Sequence, residues 1–106
     1  MEVIIKWSAI SERQLREIFK YYSTEANQVI ARKVIAGIIN RVSILKNNPL
    51  AGHKEELLSN YPEEFRYLVE GNYKIIYWIT NNIITVASVF DCRQNPEKMK
   101  NITSKF

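Results

Sequence analysis

The sequence predicts one α+β domain with the element order β-α-α-β-β-β. Three observations predict this fold: a short apolar segment at the amino terminus, two amphipathic helical patterns after it, and three strand patterns separated by tight turns. These elements are expected to form a twisted, mainly antiparallel sheet with an N-terminal helical hairpin packed on one face. The other face is expected to stay partly open. No repeat or linker interrupts the chain, so residues 1–106 are predicted to be a single domain.

The first strand and the first helix are predicted from residues 2–22. Residues 2–7 are β-branched in the middle and have polar neighbours, which is typical of a strand. Ser11 is the predicted N-cap of the helix, because Gln14 stands at the position that completes a capping box. The apolar face of this helix has the spacing i, i+3, i+4 and i+7. It consists of Leu15, Ile18, Phe19 and Tyr22.

A second, longer helix is predicted between Thr24, its N-cap, and about Asn47. Pro49 ends it, since proline disfavours helical geometry in the residue before it. Its apolar residues are spaced by four and then by three, which predicts a broad buried face. The ridge consists of Ala26, Ile30, Val34, Ile38, Val42 and Leu45. Many of these residues are β-branched, so packing against the sheet and the first helix must supply most of the stability.

The connection from Leu50 to Glu64 is predicted to be irregular, with at most a short helical turn between Glu55 and Leu58. Residues 55–64 contain four glutamates and no basic residue, whereas residues 26–54 contain five basic residues and no acidic one. Connections of this length are uncommon unless they have a function. The acidic segment is therefore either a binding surface or a loop that covers the sheet.

Three strands are predicted after this connection, where the hydrophobic period changes to two. They are residues 65–70, 73–79 and 83–90, separated by the turn signals Gly71-Asn72 and Asn81-Asn82. A shift of one residue would exchange the two faces of a strand. The sequence therefore leaves open whether Tyr73 or Lys74 points to the open surface.

Composition limits the classes of protein to which the chain can belong. The net charge is +4, and Cys92 is the only cysteine, so no internal disulfide can form. One cysteine and one histidine, His53, cannot supply the usual nitrogen and sulfur ligands of a metal site. No segment approaches the roughly 20 apolar residues that cross a bilayer, and the amino terminus does not resemble an export signal. We therefore expect a soluble, cytoplasmic protein with no metal, no other cofactor and no membrane contact.

Residues 65–99 resemble the carboxy-terminal half of toxins of the RelE/ParE superfamily. The shared pattern is a strand with an arginine, a glycine, a tyrosine followed by a basic residue, two apolar strands, and a closing segment with arginine and proline. Here the pattern consists of Arg66, Gly71, Tyr73-Lys74, Tyr77, Asn81-Asn82, residues 83–89, and Arg93 with Pro96. The helical hairpin and residues 48–52 also resemble the family. The resemblance implies a growth-inhibiting toxin of a type II toxin–antitoxin system, neutralised in a hetero-oligomer by a cognate antitoxin.

The superfamily has two activities, and one branch cuts messenger RNA on the ribosome without a metal. That branch uses a cluster of lysine and arginine side chains, with a tyrosine or histidine near the end. If this chain is a nuclease, the resemblance implies Arg66, Lys74 and Arg93 as its catalytic residues. However, Phe65 and Tyr67 stand where the nuclease branch tends to have lysines, and no tyrosine or histidine follows Arg93.

The chain is more similar to the ParE-like branch, which inhibits DNA gyrase by binding and needs a shaped surface more than an acid and a base. The preferred hypothesis is therefore a non-enzymatic toxin that binds gyrase. Its functional surface is predicted to contain Arg66, Tyr73, Lys74, Arg93 and Lys98. One alternative is a RelE-like endoribonuclease that acts on mRNA at the ribosome. A second alternative is an inactive binding domain of the same fold.

Overall fold

The structure is a computed structural model that describes residues 2–93. Within these residues the chain forms five strands and two α-helices. The strands are β1 (Ile4–Trp7), β2 (His53–Lys54), β3 (Arg66–Glu70), β4 (Tyr73–Thr80) and β5 (Ile83–Asp91). The helices are α1 (Ala9–Glu25) and α2 (Gln28–Ser43), and short 3₁₀ turns lie at Ile44–Lys46 and Glu56–Leu58. The predicted α+β class and the order of its elements are confirmed.

The strands form one sheet in the order β1-β5-β4-β3-β2. β1 runs parallel to β5 and every other neighbouring pair is antiparallel, so the sheet is mainly antiparallel, as predicted. The sequence does not predict β2, because its two residues are too few to show a period of two. No helix in residues 2–93 is long and apolar enough to span a membrane.

The N-cap of α1 is Ser8, and the prediction of Ser11 was wrong. The Ser8 side chain accepts a hydrogen bond of 3.0 Å from the Ser11 amide. The Ser8 amide in turn donates to the Val86 carbonyl at 3.1 Å, so the last pairing of β1 with β5 and the first turn of the helix share one residue. Gln14 does not reach back to Ser11 but bonds to β5. The point at which the chain leaves the sheet therefore decides which serine caps the helix.

The N-cap of α2 is Asn27, and the prediction of Thr24 was also wrong. The Asn27 side chain accepts a hydrogen bond of 2.9 Å from the Ile30 amide. Thr24 lies inside the last turn of α1, which continues to Glu25. Both residue types make good caps, so local preference alone does not separate them. The 3₁₀ turn after α2 ends at Lys46, close to the predicted end at Asn47.

One face of the sheet packs against both helices and forms the larger core. The fully buried side chains there come from α2, the turn after it, and strands β4 and β5. They are Ile38, Val42, Leu45, Ile75, Tyr77, Ile84 and Val86. The helical hairpin therefore covers this face, as the amphipathic patterns predict.

The opposite face is covered in part by the acidic connection and stays partly open, as expected, because Val69, which pairs with Lys74 on that face, is 46% exposed. Residues 55–65 close into a loop whose ends meet, because the Glu55 amide donates to the Phe65 carbonyl at 2.9 Å. Leu58 and Phe65 are buried against Ile76, Ala87 and Phe90 in a second core cluster. The acidic segment is thus a covering loop, and its role as a binding surface stays a prediction.

The two tight turns lie where the sequence predicts them. Gly71 has φ of 57°, and Asn81 and Asn82 have φ of 51° and 64°. Glycine and asparagine tolerate this left-handed region better than other residues, so the hairpins are encoded locally. These turns fix the pairing of β3 with β4 and of β4 with β5.

Candidate functional site

A cleft of about 480 Å³ lies between α1 and the C-terminal end of β5. Two ion pairs line it, Arg13–Glu17 at 3.4 Å and Arg93–Asp91 at 2.8 Å. Its apolar and aromatic lining is formed by Ile18, Tyr21, Tyr73 and Val89. The cleft has the size of an ordinary ligand pocket, about 300 to 1,000 Å³, and its formal charges cancel. Such a site is suited to a partner that supplies both apolar and polar groups.

Arg93 is held by a forked interaction with Asp91. Its Nε donates to Oδ1 at 3.0 Å and its Nη2 donates to Oδ2 at 2.8 Å. The Arg93 amide also donates to Oδ1 at 2.9 Å. These hydrogen bonds to Arg93 lower the pKa of Asp91 and raise that of Arg93. The guanidinium is thus fixed in direction while 54% of the side chain stays exposed to a partner.

Tyr73 faces the helices and forms an aromatic wall of the cleft. Burial raises the pKa of its phenol, and a hydrogen bond with Tyr22 and the charge of Asp91 raise it further. The hydroxyl therefore stays protonated at neutral pH. Tyr21 lies at the mouth of the cleft with 51% of its surface exposed, and its ring meets Tyr22 edge-on at 5.1 Å.

Lys74 lies on the opposite face of the sheet, which settles the orientation that the sequence leaves open. Its Nζ is 3.1 Å from Glu55 Oε2 and 4.3 Å from the centre of the Tyr67 ring. Only 4% of the Glu55 side chain is exposed, and its Oε1 accepts a hydrogen bond from the Leu57 amide at 3.2 Å. Lys74 therefore holds the acidic loop on the sheet by a buried ion pair and a cation–π contact.

Arg66 holds the segment after α2 against β3 and β4. Its Nη1 donates to the Gly52 carbonyl at 2.8 Å, and its Nη2 forms an ion pair with Glu64 at 2.9 Å. Tyr77 supports the same segment, because its hydroxyl accepts from the Gly52 amide and donates to the Pro49 carbonyl, both at 2.9 Å. Hydrogen bonds from Lys54 and Arg66 lower the pKa of Glu64. Only 16% of the Arg66 side chain is exposed.

The structure separates the predicted site residues into three places. Tyr73 and Arg93 lie together at the cleft. Arg66 pairs with Tyr77 on the neighbouring strand. Tyr77 lies four residues along β4 from Tyr73, and this separation is about 13 Å at the rise of an antiparallel strand. Lys74 is on the other face, and Lys98 lies outside the described residues. The functional roles of these five residues remain predictions.

The comparisons with known proteins identify the family. Residues 5–96 match the sequence model of the ParE toxin of the type II toxin–antitoxin system parDE. The chain belongs to the ParE toxin family. The predicted membership of the RelE/ParE superfamily is thereby confirmed. No curated protein sequence matches the chain significantly.

Solved structures share the fold of this ParE-family chain. One is a chain of the chromosomal ParDE system from P. aeruginosa, with a TM-score of 0.71 and 18% identity over 84% of this chain and 95% of that chain. Another is a YoeB dimer from Staphylococcus aureus, with a TM-score of 0.54 and 19% identity over the same shares of the two chains. At these identities the likeness is one of fold.

Several cleft residues of this ParE-family chain are missing from the sequence-based prediction. Arg13, Glu17 and Tyr21 come from α1, and Asp91 from the end of β5. Tyr21 leaves a signal in the sequence, because it places a large aromatic ring on the polar side of an amphipathic helix. No group of three or more His, Cys, Asp or Glu side chains in residues 2–93 is arranged to hold a metal ion.

Proposed function

We propose that this ParE-family toxin acts by binding DNA gyrase, without catalysis, and that a cognate antitoxin neutralises it. The observation that carries the proposal is the state of the three cations that a nuclease of this fold would need. Arg66, Lys74 and Arg93 are each paired with a carboxylate of their own chain, at 2.9, 3.1 and 2.8 Å.

Cleavage of RNA needs groups that reach one phosphate and its neighbouring 2′-hydroxyl at the same time. Arg66 and Lys74 lie on opposite faces of the sheet, and Arg93 follows the end of a different strand. Neutralisation by glutamate and aspartate also weakens the attraction of these cations for phosphate. This arrangement favours binding over cleavage.

The cleft offers the features of a protein-binding surface. Tyr21, Tyr73, Arg13 and Arg93 line it, and tyrosine and arginine are over-represented among residues that dominate protein interfaces. Arg93 is oriented by its fork with Asp91, so it loses little freedom when it meets a partner. We assign the gyrase contact to this cleft, with Tyr73 and Arg93 as its central residues.

The free edge of β1 is suited to the antitoxin. The Ile4 amide donates to the Asn82 carbonyl just before β5 at 3.0 Å, and the Ser8 amide donates to the Val86 carbonyl of β5 at 3.1 Å. The backbone groups of Ile5 and Trp7 therefore point the other way. Among the described residues no strand pairs with that edge. A groove of about 380 Å³ beside it is lined by β1 and by α2 residues such as Ile39. An extended antitoxin tail would add a strand there and place apolar side chains in the groove.

The decisive experiment compares two targets with the same purified toxin. We expect the toxin to inhibit gyrase supercoiling and to trap gyrase on DNA, and to leave ribosome-bound mRNA intact. Arg93→Ala should weaken gyrase inhibition and relieve growth arrest, whereas Arg32→Ala, an exposed arginine on α2, should change neither. Cleavage of mRNA with no effect on gyrase would favour the endonuclease instead. Normal growth on induction of the wild-type chain would favour an inactive binding domain.

A further inference from the structure

Strand β5 contains a bulge directly before the cleft. Ile76 of β4 pairs with Ser88, while the next residue, Tyr77, pairs with Val86. Ala87 is therefore an extra residue in β5 that pairs with no residue of β4. A bulge of this kind shifts the alternation of side chains by one position along the strand that contains it.

The shift decides which side chains of β5 reach the cleft. Before the bulge, Val86 lies in the core under the helices. After it, Val89 lies there and Phe90 lies in the core on the opposite face. Asp91 follows the alternation of Val89 and so stands on the helix side. With an uninterrupted period of two, Asp91 would point to the opposite face, away from α1.

Two side chains of the α1 region bind the backbone and hydroxyl groups at this bulge. The Ser8 hydroxyl donates to the Ala87 carbonyl at 3.0 Å. Gln14 binds the bulge twice: its Oε1 accepts from the Val89 amide at 2.7 Å, and its Nε2 donates to the Ser88 hydroxyl at 3.1 Å. Ser88 is completely buried. Gln14 also lines the cleft, so one side chain joins the wall formed by α1 to the wall formed by β5.

We propose that Gln14 is a positioning residue of the partner-binding cleft. By holding the bulge in β5, it keeps Asp91 on the helix side, and Asp91 in turn fixes the direction of the Arg93 guanidinium. The inference rests on the proposed function, because the cleft is the surface assigned to gyrase. It adds a residue that the resemblance to the toxin family does not identify.

Removing the Gln14 hydrogen bonds should loosen the C-terminal end of β5 without leaving a cavity at the position of the side chain. Gln14→Met keeps the length of the side chain and replaces the amide, both acceptor and donor, by a thioether that is a weak acceptor and cannot donate. We expect exchange of the Val89 amide hydrogen to become about tenfold faster, since that amide loses its partner. The NMR resonance of the Arg93 Nε–H should shift, and affinity for gyrase should fall about tenfold. Gln28→Met, the same change at an exposed position on α2, should alter none of these.

Two further variants separate positioning from simple space filling. Gln14→Glu keeps an acceptor for the Val89 amide, and the Ser88 hydroxyl can turn to donate to it. It should restore amide protection and most of the affinity that Gln14→Met loses. If Gln14→Met does not fold, Ser88→Ala removes one of the two bonds, and it should move the Arg93 resonance in the same way by a smaller amount.

The measurements distinguish failure of this inference from failure of the proposed function. Unchanged Val89 exchange and unchanged Arg93 resonance in Gln14→Met would overturn the positioning role, whatever the target. A shifted Arg93 resonance with undiminished gyrase affinity would also overturn it. If the wild-type toxin does not bind gyrase, the proposed target is wrong, while the two NMR measurements still decide whether Gln14 holds Asp91 and Arg93 in place.

Discussion

Replacement of Lys74 by methionine should destabilise the protein strongly and leave the cleft intact. The change removes the cation that pairs with Glu55, and only 4% of that carboxylate side chain is exposed. Loss of one member of a buried ion pair costs about 3 to 5 kcal/mol. Because 26% of the Lys74 side chain is exposed, water can partly replace the ammonium group, so we expect the lower end, about 3 kcal/mol.

Urea unfolding monitored by circular dichroism measures this cost. With a denaturant slope of about 2 kcal/mol per molar, the midpoint of Lys74→Met should fall by about 1.5 M. Lys33→Met, at an exposed position on α2, should shift it by less than about 0.3 M. The double variant Glu55→Leu with Lys74→Met leaves no unpaired charge, and it should therefore be more stable than Lys74→Met alone.

The same variants test where the functional surface lies. At a temperature at which Lys74→Met remains folded, it should keep the gyrase inhibition that we propose for the wild type, because Lys74 and the cleft are on opposite faces. A loss of stability below about 1 kcal/mol would show that the buried ion pair does not form in solution. Loss of gyrase inhibition in the folded variant would place Lys74 in the functional surface and refute the assignment to the cleft.

Three other predictions concern stability. Gly52→Ala should destabilise the protein by about 1 to 3 kcal/mol in urea unfolding, because a Cβ there would lie 2.7 Å from the Tyr77 ring and hydroxyl; an unchanged midpoint would contradict the close packing. Asn27→Ala should cost about 1 kcal/mol by losing the cap of α2, and Asn27→Ser should recover most of it. Asp91 has a lowered pKa, so its contribution to stability is complete at neutral pH and is lost as the pH falls below about 4; Asp91→Asn should remove this part of the acid sensitivity, and identical acid titrations of the two proteins would contradict it.

Local sequence signals predict the elements of this fold well. Gly71, Asn81 and Asn82 adopt the left-handed conformations that their residue types favour, and the two hairpins follow from them. The amphipathic spacing in α1 and α2 predicts the face that each helix buries. These properties depend on neighbours within a few residues, so the chain reveals them without its tertiary structure.

Choices between equivalent local signals were decided by distant contacts. Ser8 and Ser11 are equally good caps, and Ser8 prevails because its amide is the last to pair with β5. Tyr73 and Lys74 alternate on one strand, and packing of the helices places Tyr73 beneath them. The acidic loop is held on the second face by distant contacts, which include the ion pair of Glu55 with Lys74, nineteen residues away, and the packing of Leu58 against the sheet.

The sequence by itself determined the family, the α+β class, the two hairpins and two of the residues at the cleft, Tyr73 and Arg93. Tertiary structure alone decided that Arg66 and Lys74 stand apart from them, and that residues of α1 complete the site. The alternation of side chains on β4 and the pairing of Arg66 with Tyr77 set Lys74 and Arg66 apart, whereas the bulge at Ala87 brings Asp91 to the helix side, because it changes which face each later residue of β5 occupies. The position of the bulge depends on pairing with β4 and on hydrogen bonds with Ser8 and Gln14. A local sequence pattern predicts none of these contacts.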